Sequence, residues 1–114
     1  MWLFTQAGLT SIVEDQDYSR YLIPRARIEG DLEGLFAGAL IEESSATDYR
    51  YRTWLKRELV VEAVAKAVRE IDYSNFKNSV LDRTRSHWYS SVWLAGADEQ
   101  ERRLSGKADR PKRR

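Results

Sequence analysis

A chain of 114 residues with 42% hydrophobic and 32% charged side chains has the size and composition of one globular domain able to bury a core without staples. It holds no cysteine, which excludes a disulfide scaffold and a thiolate zinc site, and no apolar run approaches the ~20 residues of a membrane helix. The net charge of +1 is uneven: residues 105–114 hold five basic residues and one acid, which leaves the remainder at −3, so the body does not resemble a globally basic nucleic-acid binder. Met1 to Gln6 lack the features of a signal peptide, and a soluble cytoplasmic protein is expected.

Trp2–Gln6 and Leu9–Glu14 are β-prone runs separated by Ala7-Gly8, and they predict a hairpin in which Gly8 supplies the unusual backbone angle. A third strand is predicted from Tyr21 to Ile28. Pro24 cannot donate to a ladder, so this strand lies at an edge or is paired on one side only near that residue. Asp31 is a candidate N-cap for a short helix carrying Leu32, Leu35 and Phe36 and ended by Gly38. A weak strand at 39–43 and a strong one from Asp48 to Leu55 follow.

The clearest helix runs from about Arg57 to Ile71, where Leu59, Val60, Ala63, Val64, Ala67, Val68 and Ile71 recur at spacings of three and four. Ser74 is placed to cap a second helix with Phe76, Val80 and Leu81. A third carries Trp88, Tyr89, Val92 and Trp93, is weakened by Gly96 and frays from Glu99 into a disordered basic tail. The order predicts an α+β fold of two layers, an antiparallel sheet of four to five strands covered on one face by helices, with a single domain over 1–104 and a disordered basic tail over 105–114.

Two runs then carry the functional reading, Ile23-Pro24-Arg25-Ala26-Arg27-Ile28 and Tyr49-Arg50-Tyr51-Arg52-Thr53-Trp54. Because strand side chains alternate between faces, Arg25, Arg27, Arg50 and Arg52, with Trp54 beside them, are expected on one open sheet surface. Arginine matches phosphate and carboxylate bidentately and stacks on bases, so that surface suits nucleic acid or a phosphorylated ligand. It suits equally a ladder of salt bridges with Glu14, Glu29, Glu42 and Asp48. Arginine makes up 14 of the 19 basic residues, a bias that a GC-rich genome also produces.

Other constellations are weaker. The run from Ile71 to Lys77 reads first as a structural junction between helices, and only second does Lys77, with Asn75 at a helix start, stand as a candidate anion contact. His87 stands alone, without an orienting carboxylate or a second ligand. Glu14, Asp15 and Asp17, or Glu42 and Glu43, lack the motif that a magnesium site needs, and neither a metal nor a cofactor is expected. The aromatic residues at 88–93 read as core or as a dimer interface.

The combination of Trp2-Leu3-Phe4-Thr5, Gly8, Ser11-Ile12-Val13, Arg25-Ala26-Arg27, Asp48-Tyr49-Arg50-Tyr51-Arg52, Ile71-Asp72-Tyr73-Ser74-Asn75-Phe76-Lys77, Tyr89 and Val92-Trp93 resembles a family of small bacterial proteins, mainly from actinobacteria. The resemblance covers about residues 1–94 and implies no activity. The residues favour a small intracellular, non-catalytic binding module that engages nucleic acid or a phosphorylated ligand through its arginine face. A protein-interaction adaptor or homodimer is the alternative, and a nucleotide- or nucleic-acid-directed enzyme the third reading.

Overall fold

Aromatic and β-branched side chains favour extended chain, and in the computed structural model, which describes residues 1–109, they form β1 (Trp2–Phe4) and β2 (Leu9–Glu14). The strands pair antiparallel, with Trp2 opposite Ser11 and Phe4 opposite Leu9. Their connection is closed by Thr5, whose N–H donates to the Gly8 carbonyl at 2.9 Å and whose Oγ1 accepts from the N–H groups of Ala7 and Gly8. Gly8 does not supply a left-handed turn: among the described residues only Gly30 and Gly38 have positive φ, 92° and 81°. Glycine is needed at 8 for space, because a Cβ there would lie 2.6 Å from Cβ of Asp31.

Asp31 likewise departs from its expected role. It is buried, and its Oδ2 accepts from Leu9 N–H at 3.1 Å, so it fastens the start of β2. Residues 31–38 remain a series of turns, such as Phe36 N–H to the Leu32 carbonyl at 2.8 Å. Gly34 and Gly38 within eight residues disfavour the helix expected here.

The remaining strands are β3 (Tyr21–Ala26), β4 (Glu42–Glu43), β5 (Tyr51–Arg52) and β6 (Leu55–Lys56). They form one antiparallel sheet in the order β1-β2-β3-β5-β4, with β6 also beside β3. The β3 registers of β5 and β6 continue one another, Arg25 opposite Arg52 and Leu22 opposite Leu55. The gap falls opposite Pro24, whose carbonyl accepts from Thr53 N–H at 3.0 Å but whose ring nitrogen has no hydrogen to return. One predicted strand therefore becomes two short ones, and the sheet counts six.

One sheet face buries Ile12 and Ala26, with Leu22, Tyr51 and Leu55 packed around them. Helix α1 (Arg57–Arg69) closes that face with Val60, Ala63 and Val64, joined by Leu32 and Phe36 from the turns, to give two α+β layers. The stripe on α1 is narrower than its periodicity predicts. Leu59, Val68 and the following Ile71 are each more than half exposed, because residues 32–41 supply the rest of the cover.

Where one domain over 1–104 is predicted, the chain divides into two compact units, Met1–Ser74 and the part from Asn75 on. The second holds α2 (Phe76–Ser79) and α3 (Arg83–Asp109). Asn75 rather than Ser74 caps α2, its Oδ1 accepting from Asn78 N–H at 3.0 Å, and Asp82 accepts from Arg85 N–H at 2.9 Å at the start of α3. Tyr89 is buried and stacks on Phe76 at 5.8 Å, whereas Val92 and Trp93 are exposed. The fraying expected from Glu99 and the disorder expected from Ser105 give way to helix through Asp109. Glu99 holds Arg102 and Arg103 at 3.0 and 2.9 Å, one turn along. The rest of the predicted tail, 110–114, lies outside the described residues.

Candidate functional site

Residues opposite one another in an antiparallel sheet share a face, and the registers of five strands align Trp2, Ser11, Arg25, Arg52 and Glu42 in one transverse row. Alternation along β2 and β3 puts Ile12 and Ala26 in the core, so the row belongs to the open face. The continuing register places Trp54 opposite Ile23 on that same face. Trp2 is 70% exposed and Trp54 40%, so both indoles are available. Ser11 and Arg25 are joined directly, Arg25 Nη2 donating to Ser11 Oγ at 2.7 Å.

The two arginines at the centre of the row are half-buried. Nε of Arg25 and Nε of Arg52 are buried without a hydrogen-bond partner, and neither guanidinium has a carboxylate within 4.0 Å among the described residues. Buried donors are nearly always satisfied in folded proteins, by protein groups or by ordered water, and these two have no protein partner among the described residues. Like charges placed directly opposite in a sheet also destabilise it. Tyr49, buried at the end of this face, offsets part of that cost: the guanidinium carbons of Arg25 and Arg27 lie 4.5 and 4.3 Å from its ring centroid. Arg27 Nη1 also donates to the Asp48 carbonyl at 3.0 Å.

The six residues singled out from sequence thus separate. Arg25, Arg52 and Trp54 share the open face, and Arg27 joins them through Tyr49. Arg50 does not: it forms an exposed ion pair with Glu43 at 3.0 Å, and that hydrogen bond, then the charge of the carboxylate, holds its guanidinium above its ordinary pKa. Lys77 belongs to the second unit, where its ammonium lies 5.5 Å from the Trp93 ring centroid.

Two acids of the expected ladder are engaged elsewhere. Glu14 pairs with Arg57 at 2.5 Å and the Asp48 carboxylate accepts from Tyr49 N–H at 2.9 Å, while Glu43, which lies outside the expected ladder, pairs with Arg50. Glu42 faces Arg52 by register without an ion pair to it. Sequence reasoning missed Trp2, Ser11 and Tyr49, since only pairing register brings them to the arginines.

Among the described residues no cluster of three or more His, Cys, Asp or Glu side chains is arranged to hold a metal ion, and no helix is long and apolar enough to cross a membrane. Comparison with protein-family models, with curated proteins and with solved structures finds no match to this chain. The site's chemistry alone therefore carries the functional reading: a planar, cationic, aromatic-flanked sheet face with unsatisfied donors, which suits an oxyanion.

Proposed function

We propose that the chain is an intracellular, non-catalytic binding module that holds a phosphate-bearing ligand against Arg25 and Arg52, with Arg27 at the flank and the buried Ser11 holding Arg25 from below. One observation supports this reading: two arginines directly opposite one another on this face, whose guanidinium groups have no ion pair among the described residues although Glu42 lies across from Arg52. Phosphate oxygens at the solvent-facing edges of the two half-buried guanidinium groups would remove the repulsion between them. The test is titration with inorganic pyrophosphate followed by NMR of the arginine Nε–H resonances. Shifts of Arg25 and Arg52 that vanish in Arg52→Gln support the reading, and unmoved resonances at saturating pyrophosphate refute it.

A second reading, self-association, rests on α3, where Val92, Trp93 and Leu94 are 44%, 57% and 54% exposed. Exposed aromatic and aliphatic groups in a row favour a partner surface. Light scattering of the full chain and of Trp93→Ala would decide it, a dimer lost in the variant being the expected result.

A further inference from the structure

We infer that the ligand of the open sheet face is a single-stranded nucleic acid, its phosphates on Arg25 and Arg52 and its bases stacked on Trp54 and Trp2. This inference rests on the phosphate-binding reading above and adds the class of ligand. The transverse row supplies the first argument. Trp2 and Arg52 are three strand spacings apart, about 14 Å, whereas successive phosphates of a duplex strand are about 3.4 Å apart along the axis. The face is thus longer than one phosphate group needs and matches a run of several nucleotides.

The second argument is the kind of side chain at the ends. Two exposed indoles flank the guanidinium pair, and a base offers its flat face to an indole only when it is unpaired. A duplex hides those faces in its own stack. The row is also asymmetric, with Trp2 at one end and the exposed Glu42 at the other. Glu42 repels phosphate, so the strand's path runs from Arg52 toward Trp2 and Trp54 and away from β4.

The third argument is charge. Among the described residues Arg25, Arg27 and Arg52 have no ion pair, although the first 104 residues together carry −3. A concentrated cationic spot on an otherwise acidic body favours a localised, oriented contact over general adsorption.

The experiment uses the full chain with Arg110, Lys112, Arg113 and Arg114 replaced by Gln, so that the basic terminus does not bind by itself. Fluorescence anisotropy measures a 12-nucleotide single strand without terminal phosphate and a 12-base-pair duplex, and the pyrophosphate titration is run in parallel. The single strand should bind at least ten-fold more tightly than the duplex. Trp54→Ala should weaken it roughly ten-fold without changing the pyrophosphate shifts, since base stacking contributes on that scale. Arg25→Gln combined with Arg52→Gln should abolish both binding events, and circular dichroism of each variant reports that the fold is retained. Equal affinity for strand and duplex, or an unchanged affinity in Trp54→Ala, overturns the nucleic-acid inference while the pyrophosphate shifts keep the site. Absence of both kinds of binding overturns the site as well.

Discussion

Arg25 and Arg52 stand directly opposite one another on β3 and β5, two positive charges placed where a sheet ordinarily pairs opposite ones. Their Nε donors are buried without a partner among the described residues, and of the acids expected to neutralise them Glu14 is engaged by Arg57 and Asp48 by the backbone of Tyr49, while Glu42 faces Arg52 without an ion pair to it. The arrangement costs stability in the free protein. That cost is understandable if binding recovers it, and it gives the proposal consequences in stability as well as in affinity.

Replacing Arg52 by Gln or Thr should therefore leave the protein as stable as before or more so, by up to about 1 kcal/mol, because a like-charge cross-strand pair is removed. Urea unfolding at low salt measures this directly. The gain should shrink at high salt, where screening already weakens the repulsion. A loss of more than about 1 kcal/mol would show that Arg52 stabilises the sheet through packing.

Arg50 should behave differently from its neighbour two residues on. Its ion pair with Glu43 is about half exposed on both sides, and such pairs contribute little, about 0–1 kcal/mol. Arg50→Gln should change stability by no more than that and should leave affinity for a phosphate-bearing ligand within about two-fold. An effect as large as that of Arg52→Gln would return Arg50 to the site.

Two glycines should respond to alanine for unlike reasons. Gly8→Ala forces a Cβ onto the side chain and backbone of Asp31, at 2.6 and 2.8 Å, and disturbs the bond from Asp31 to Leu9. A loss of about 1–3 kcal/mol is expected from such overpacking. Gly38→Ala meets no atom within 4 Å but sits at φ 81°, so only the left-handed penalty of about 1–2 kcal/mol applies. In a crystal structure of each variant, the neighbourhood of Asp31 should shift in the first and nothing should move around residue 38 in the second.

On α1, Val60 and Leu59 exchange the importance that hydrophobicity alone assigns. Val60 is 3% exposed and packs with Ile12, Ala26, Leu32 and Phe36, whereas Leu59 is 57% exposed. Thermal or urea unfolding should show Val60→Ala losing about 2 kcal/mol and Leu59→Ala within about 0.5 kcal/mol of the parent.

Local rules carried much of the architecture. The β-prone residues of 9–14 and 21–26 and the three-four spacing in 57–69 act within a few residues of chain, and the strands and α1 appear where those patterns lie. The missing N–H of Pro24 likewise has its effect wherever the chain takes it, here as a break in one ladder. Long-range pairing decided the rest. Asp31 has the side chain of a helix cap, yet Leu9, 22 residues away, uses its carboxylate.

Four arginines with one spacing in sequence separate: Arg25 bonds Ser11 and rests with Arg27 on Tyr49, Arg52 faces Arg25 and Glu42 across the sheet, and Arg50 is neutralised by Glu43, because strand register and the reach of acids on other strands select their partners. Trp2 joins the site only through two further registers, Trp2 to Ser11 and Ser11 to Arg25. Which stretches are β-prone and which positions on α1 are apolar depends on neighbours along the chain, and so it was legible there. Which charges meet is set by distance in space, and it emerged only from the pairing of distant strands.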